Sequence, residues 1–187
     1  MKRTLVLLAL IAFGFPVFGQ GQWARTEKKD ELRGTAYTQF VLTGKFLTPP
    51  KQVSADPTFV VDCIPGEHRQ GATWEKRGKF VDAYIAVGAV VDFHENGTAV
   101  RYRLDDGKVH SDSWGHSTDG TGIFAAETQL STLLYGHFMP HKEGSGEPIR
   151  KAVIAVDEYQ GAEVVMEFNL PDPTLVADAC GLILHKR

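Results

Sequence analysis

The hexapeptide Gly115-His116-Ser117-Thr118-Asp119-Gly120 sets a histidine, two hydroxyls and a carboxylate between two glycines. These are the residue types of nucleophilic acyl transfer, in which a histidine takes the serine proton and an acid orients the histidine. The run departs from G-x-S-x-G only in its fifth place, where Asp119 stands. A nucleophile elbow also needs a strand-to-helix turn in a largely parallel sheet, and the flanking residues carry no such pattern. The simpler reading assigns Ser117 and Asp119 to the turn itself, as side chains that hydrogen-bond nearby backbone.

Other chemistry-bearing residues are weaker candidates. The chain has seven histidines, but no spacing among them matches a zinc pattern. His137 and His141 stand four apart, and Pro140 between them breaks the helix that would align them. Neither a metal nor a cofactor is expected. Asp105-Asp106 and Asp157-Glu158 fit turns and strand ends. Trp74, Tyr84, Tyr102 and Trp114 would make a sugar-stacking face if one side of a sheet exposed them, although aromatics alternating along strands usually belong to a core.

The elements that must position these groups are mostly strands. Ala99, Arg101 and Arg103 alternate with Val100, Tyr102 and Leu104, the period of a half-buried strand. Asp106-Gly107 predicts a two-residue hairpin turn with positive φ at both positions. Residues 34–47 also alternate, and TFVVDCI (58–64) is a compact apolar strand. Residues 79–92 are long, apolar and β-branched, with Gly88 marking a bend. Asn96-Gly97 and Gln160-Gly161-Ala162 predict further hairpins. Residues 23–33 read as a short helix or a mobile arm anchored by Trp23, and 67–78 as a polar loop. Two short helices are expected. One runs through Glu127, Leu130, Leu133 and Leu134 and ends at Gly136; the other covers 174–179 after Asp172-Pro173, with Gly181 as its C-cap. A short strand at 137–140 and a loop at 141–148 separate the first helix from the strands at 151–159 and 163–170. The fold class is therefore mainly β, an antiparallel sandwich with an α+β tendency.

Residues 1–19 read as a signal peptide. Lys2-Arg3 precedes an apolar run from Leu5 to Phe18, with Val17 and Gly19 at positions −3 and −1. The run is short for a membrane span, which takes about 20 residues, and no cysteine lies near for lipid attachment. Residues 20–187 then form a single β-rich domain. Losing Lys2 and Arg3 takes the formal net charge from −3 to −5. An acidic chain without a basic patch is a poor partner for nucleic acid or an anionic membrane surface. Cys63 and Cys180 are the only cysteines. In a secreted chain an even count favours a disulfide; two buried thiols are the alternative.

The ordered set of pieces resembles the VasI (TagO) family of type VI secretion-associated periplasmic proteins. The pieces are Trp23, Pro57 before the strand ending in Cys63, and Tyr84-Ile85; then VRYRLDDG, Trp114 and Ser117-Thr118-Asp119; and finally Phe124 before a Leu-rich helix, and MEFNL leading to Ala179-Cys180-Gly181. The family's acidic Thr-Asp-Glu element after the first tryptophan is replaced here by EKKDEL. The resemblance implies a non-enzymatic accessory role and one intramolecular disulfide.

The reading is thus a secreted or periplasmic accessory protein that binds another protein, such as a secretion-machine or envelope component. Its contact surface is placed around Trp114, Ser117, Asp119 and Phe124. The alternatives are a secreted hydrolase using Ser117 or His116 with a distant acid, and a carbohydrate- or envelope-binding module.

Overall fold

The computed structural model describes residues 21–31, 34–53, 55–65, 68–70, 73–75, 79–125, 133–134 and 148–181. Among these residues twelve strands run in chain order: β1 (Ala24–Asp30), β2 (Thr35–Thr43), β3 (Lys45–Thr48), β4 (Thr58–Pro65), β5 (His68–Gln70), β6 (Thr73–Glu75), β7 (Lys79–Ala86), β8 (Thr98–Leu104), β9 (Val109–His116), β10 (Gly122–Ala125), β11 (Lys151–Asp157) and β12 (Glu163–Asn169). Helix α1 (Thr174–Cys180) comes last. Ten strands form one antiparallel sheet in the order β1-β2-β4-β7-β10-β9-β8-β11-β12-β3, and β5-β6 form a separate hairpin.

That order puts β2 near one end of the sheet and β3 at the other, yet only Gly44 lies between them in the chain. The sheet must therefore fold back on itself there. β9 makes the second crossing: Val109 to Trp114 pair with β8, while Gly115 and His116 pair with β10. The β2–β3 corner and the switch along β9 thus join two packed layers into one sandwich-like sheet. Across the interior, Phe59 of β4 meets Phe168 of β12 with ring centroids 6.2 Å apart. Gly44 is required at its corner, because a Cβ there would sit 2.6 Å from the Phe168 ring and 2.8 Å from the Glu167 carbonyl.

Alternation supplies the core. Thr38, Phe40 and Leu42 of β2 are buried between partly exposed neighbours, and so are Val164, Met166 and Phe168 of β12. β8 keeps its expected period, with Thr98 and Val100 inside and Ala99, Arg101 and Arg103 exposed. Cys63 and Cys180 form the expected disulfide, 117 residues apart in sequence, and it fastens α1 against β4 and β7. Gly181 ends α1 in the left-handed conformation at φ 68°. The Asp172 carboxylate accepts the Thr174 N–H at 2.8 Å.

Several expectations are corrected. Residues 24–30 are neither helix nor arm but an edge strand paired along β2 from Ala24–Val41 to Asp30–Thr35. Trp23 packs on Phe40 and Phe59 with centroids at 6.4 and 5.6 Å, which fixes the strand's start. The run 34–47 is two strands in two layers. The segment 67–78 contains the β5-β6 hairpin. The turn near Asp106-Gly107 sits one residue earlier: Gly107 N–H bonds the Leu104 carbonyl, and Asp105 takes the positive φ of 47°. Asp105 tolerates this because its carboxylate accepts the N–H groups of Arg150 and Lys151 at 3.0 and 2.9 Å, clamping the entry to β11. Leu133 and Leu134 are helical and buried; the rest of that predicted helix, and the expected strand at 137–140, lie outside the described residues.

Candidate functional site

One end of the sandwich gathers the chemistry-bearing hexapeptide. Residues 87–97 leave β7 at Gly88, whose φ is 75°, and run between two turns. Val87 and Val91 donate N–H bonds to the carbonyls of Thr121 and Gly120, both at 2.9 Å. On the other side Asp92 donates to the Asp157 carbonyl at 2.7 Å, and Tyr159 donates to Val90 at 2.9 Å. The segment is thus tied to the 117–122 turn and to the β11-β12 hairpin.

The 117–122 turn is fixed by its own side chains. Ser117 Oγ donates to Asp119 Oδ1 at 2.5 Å and accepts the Gly122 N–H at 2.8 Å. Asp119 Oδ1 also accepts the Thr121 N–H and hydroxyl at 3.1 and 2.9 Å. Donation from Ser117, then from Thr121, holds the exposed Asp119 carboxyl below the usual aspartate range. Asp119 is therefore ionised at neutral pH. The Ser117 hydroxyl is committed to the turn on both its donor and acceptor sides. No described hydrogen bond joins it to His116, so the base contact that a serine nucleophile needs is missing.

His116 instead stacks on Phe93, with ring centroids 4.6 Å apart and planes at 23°. Its Nδ1 is buried and has no partner among the described residues. Gly120, at φ 70°, lets Phe93 and Val90 press onto the turn: a Cβ there would lie 3.2 and 3.3 Å from their side chains. The outcome is an exposed apolar patch of Val90 (43%), Phe93 (44%) and Tyr159 (56%). Acidic residues lie on the same segments. Asp92 lies 4.0 Å from His94, and Asp157 pairs with Arg101 at 2.9 Å. The Glu158 carboxylate accepts the Lys51 N–H at 3.2 Å.

Of the residues singled out from sequence, His116, Ser117 and Asp119 meet here. Trp114 does not: it is 1% exposed, in the core beneath the pole, and is no contact residue. It faces inward because it ends the part of β9 that pairs with β8, opposite the buried Thr98. Phe124 is half-buried on the outer face of the layer that holds β4, β7 and β10, where its ring meets Tyr84 at 5.7 Å. Val90, Phe93 and Tyr159 were not singled out from sequence. The signal was Gly88: an apolar run that bends there keeps Val91 in the core and leaves Val90 and Phe93 outside.

The same outer face carries a second titratable cluster. Asp62 and Asp82 stand directly opposite on β4 and β7, and Asp62 is only 8% exposed. Gln39 donates to Asp62 at 3.0 Å. Burial pushes the Asp62 carboxyl above the aspartate range against the Gln39 bond, with the Asp82 charge adding to the rise. Burial raises Asp82 as well. Among the described residues, no three His, Cys, Asp or Glu side chains converge as a metal site. No helix among them is long and apolar enough to cross a membrane. Comparison with protein-family models, curated proteins and solved structures finds no match to this chain.

Proposed function

We propose that this chain is a secreted or periplasmic accessory protein that acts by binding another protein, and that it docks through the pole formed by Val90, Phe93, His116, Asp119 and Tyr159. The observation that carries the reading is the exposed apolar patch on a segment tied by backbone hydrogen bonds to two separate turns. Large side chains left in water on a stiff support lose little entropy on association, the property that makes aromatic anchors effective. The Cys63–Cys180 disulfide supports an oxidising compartment. The resemblance to the VasI (TagO) family supports a secretion-machine or envelope component as the partner.

The test is site-specific photo-crosslinking in cells, with the reactive group at Phe93 or, as a control, at exposed Val109 on β9. A discrete protein adduct at position 93, absent at 109, is expected. Equal adducts at both positions, or none at 93, would overturn the proposal.

A further inference from the structure

We infer that the pole receives a cationic segment with an apolar anchor: Lys or Arg side chains flanking an aromatic or large aliphatic residue. This rests on the docking reading and adds the chemistry of the occupant.

Charge complementarity decides it. Asp92 and Asp119 adjoin Phe93 and Gly120 in the chain, and Asp157 and Glu158, on the hairpin bonded to the same segment, already engage Arg101 and the Lys51 N–H. Arg101 pairs with both Asp157 and Glu163, and Lys51 donates to the Gln160 carbonyl at 3.0 Å. Asp119 is the sharpest element. Three donors converge on one oxygen, holding the carboxylate ionised and in place. A guanidinium or ammonium gains most from a carboxylate held in that way, because little reorganisation is needed to meet it. Gly120, next in the chain, touches Phe93, so the same cation also lies near an aromatic ring that can receive it. A second copy of this chain would oppose the same acidic residues, and an anionic lipid surface would be repelled for the same reason.

The experiment is an amide NMR titration of the full oxidised chain with three synthetic peptides. One has a central phenylalanine flanked by lysines, the second has glutamates for the lysines, and the third has serine for the phenylalanine. The first peptide is expected to shift Phe93, Asp119 and Tyr159 and to bind about tenfold or more tighter than either control. Its affinity should fall with salt, and Asp119→Asn should weaken it about three- to tenfold. Equal binding of the glutamate peptide overturns the inference, as does an Asp119→Asn variant with unchanged affinity. A position-93 crosslink with no response to the lysine peptide leaves docking standing and removes the cationic occupant. Self-association abolished by Phe93→Ser would put a second copy in its place. Loss of both the crosslink and the peptide response removes both readings.

Discussion

Trp114→Ala is expected to unfold the pole from beneath, whereas Phe93→Ser should leave stability nearly intact. Trp114 is 1% exposed, packs on Tyr102 with centroids at 6.1 Å, and stands opposite buried Thr98. Truncating a buried tryptophan costs about 3–5 kcal/mol, which for a chain of this length lowers Tm by roughly 6–20 °C. Trp114→Phe is the more informative change. The Trp114 Nε1–H and the Thr98 hydroxyl are both buried and find no partner among the described residues. A buried donor left in that state costs about 1–3 kcal/mol. Losing the second ring costs about 1–2 kcal/mol of apolar burial. The two nearly cancel, so Trp114→Phe should lie within about 1 kcal/mol of the parent. Urea unfolding at constant m-value measures both variants. A Phe variant as unstable as the Ala variant would refute the reasoning, because the indole N–H would then be making a bond worth keeping, such as one to a water held by Thr98.

Three further outcomes are expected. Gly44→Ala should destabilise by about 1–3 kcal/mol through overpacking against Phe168, and the cost should shrink in the Phe168→Leu background; a double-mutant cycle by urea unfolding reads the coupling. Asp82→Asn should stabilise by roughly 0.5 kcal/mol at neutral pH by removing a like charge opposite Asp62. The folded chain holds these protons more tightly than the unfolded chain, so the ionisation cost is full above the raised folded pKa and fades as pH falls toward the unfolded value. Urea midpoints of parent and variant should therefore converge near about pH 3; a destabilised variant at neutral pH would show that Asp82 has a cationic partner. Replacing Cys63 and Cys180 by alanine should cost about 5 kcal/mol in the chain-entropy model, read by urea unfolding, and the native chain should weigh two protons less than the reduced one.

Where a strand buries one face, or is apolar along its whole length, the sequence pattern was legible. β8 alternates as its residues alternate, TFVVDCI is strand, and the cysteines that compartment chemistry pairs are joined. The edge strand β1 was not legible, since ARTEKKD buries too little for its period to show. Its polar groups serve its neighbour instead: Glu27 accepts the Thr38 hydroxyl at 3.1 Å. Sheet closure was hidden for a different reason. Gly44 interrupts a continuous β pattern by one residue, and no local signal says that the residues beyond it pair with β12. Trp114 misled because most of β9 is exposed and only its end reaches the core.

The hexapeptide's apparent chemistry and its structural use have one physical origin. Short polar side chains that could activate a nucleophile are equally able to saturate a tight turn, and the Ser117 hydroxyl cannot serve both ends when Asp119 and the Gly122 N–H already hold it. What that commitment produces is a stiff platform. Gly120 brings its backbone against Val90 and Phe93, His116 lies face-on to Phe93, and the 87–97 segment is bonded on both sides. An exposed ring on a loose loop would lose its freedom on binding; here that freedom is already gone. Val109 on β9 is more exposed still, but the turn that fixes Asp119 beside the apolar patch lies at the other end of its strand. Exposure alone therefore does not select the docking surface. The pole is selected because an ionised carboxylate and exposed aromatic rings are held together by the same few backbone bonds.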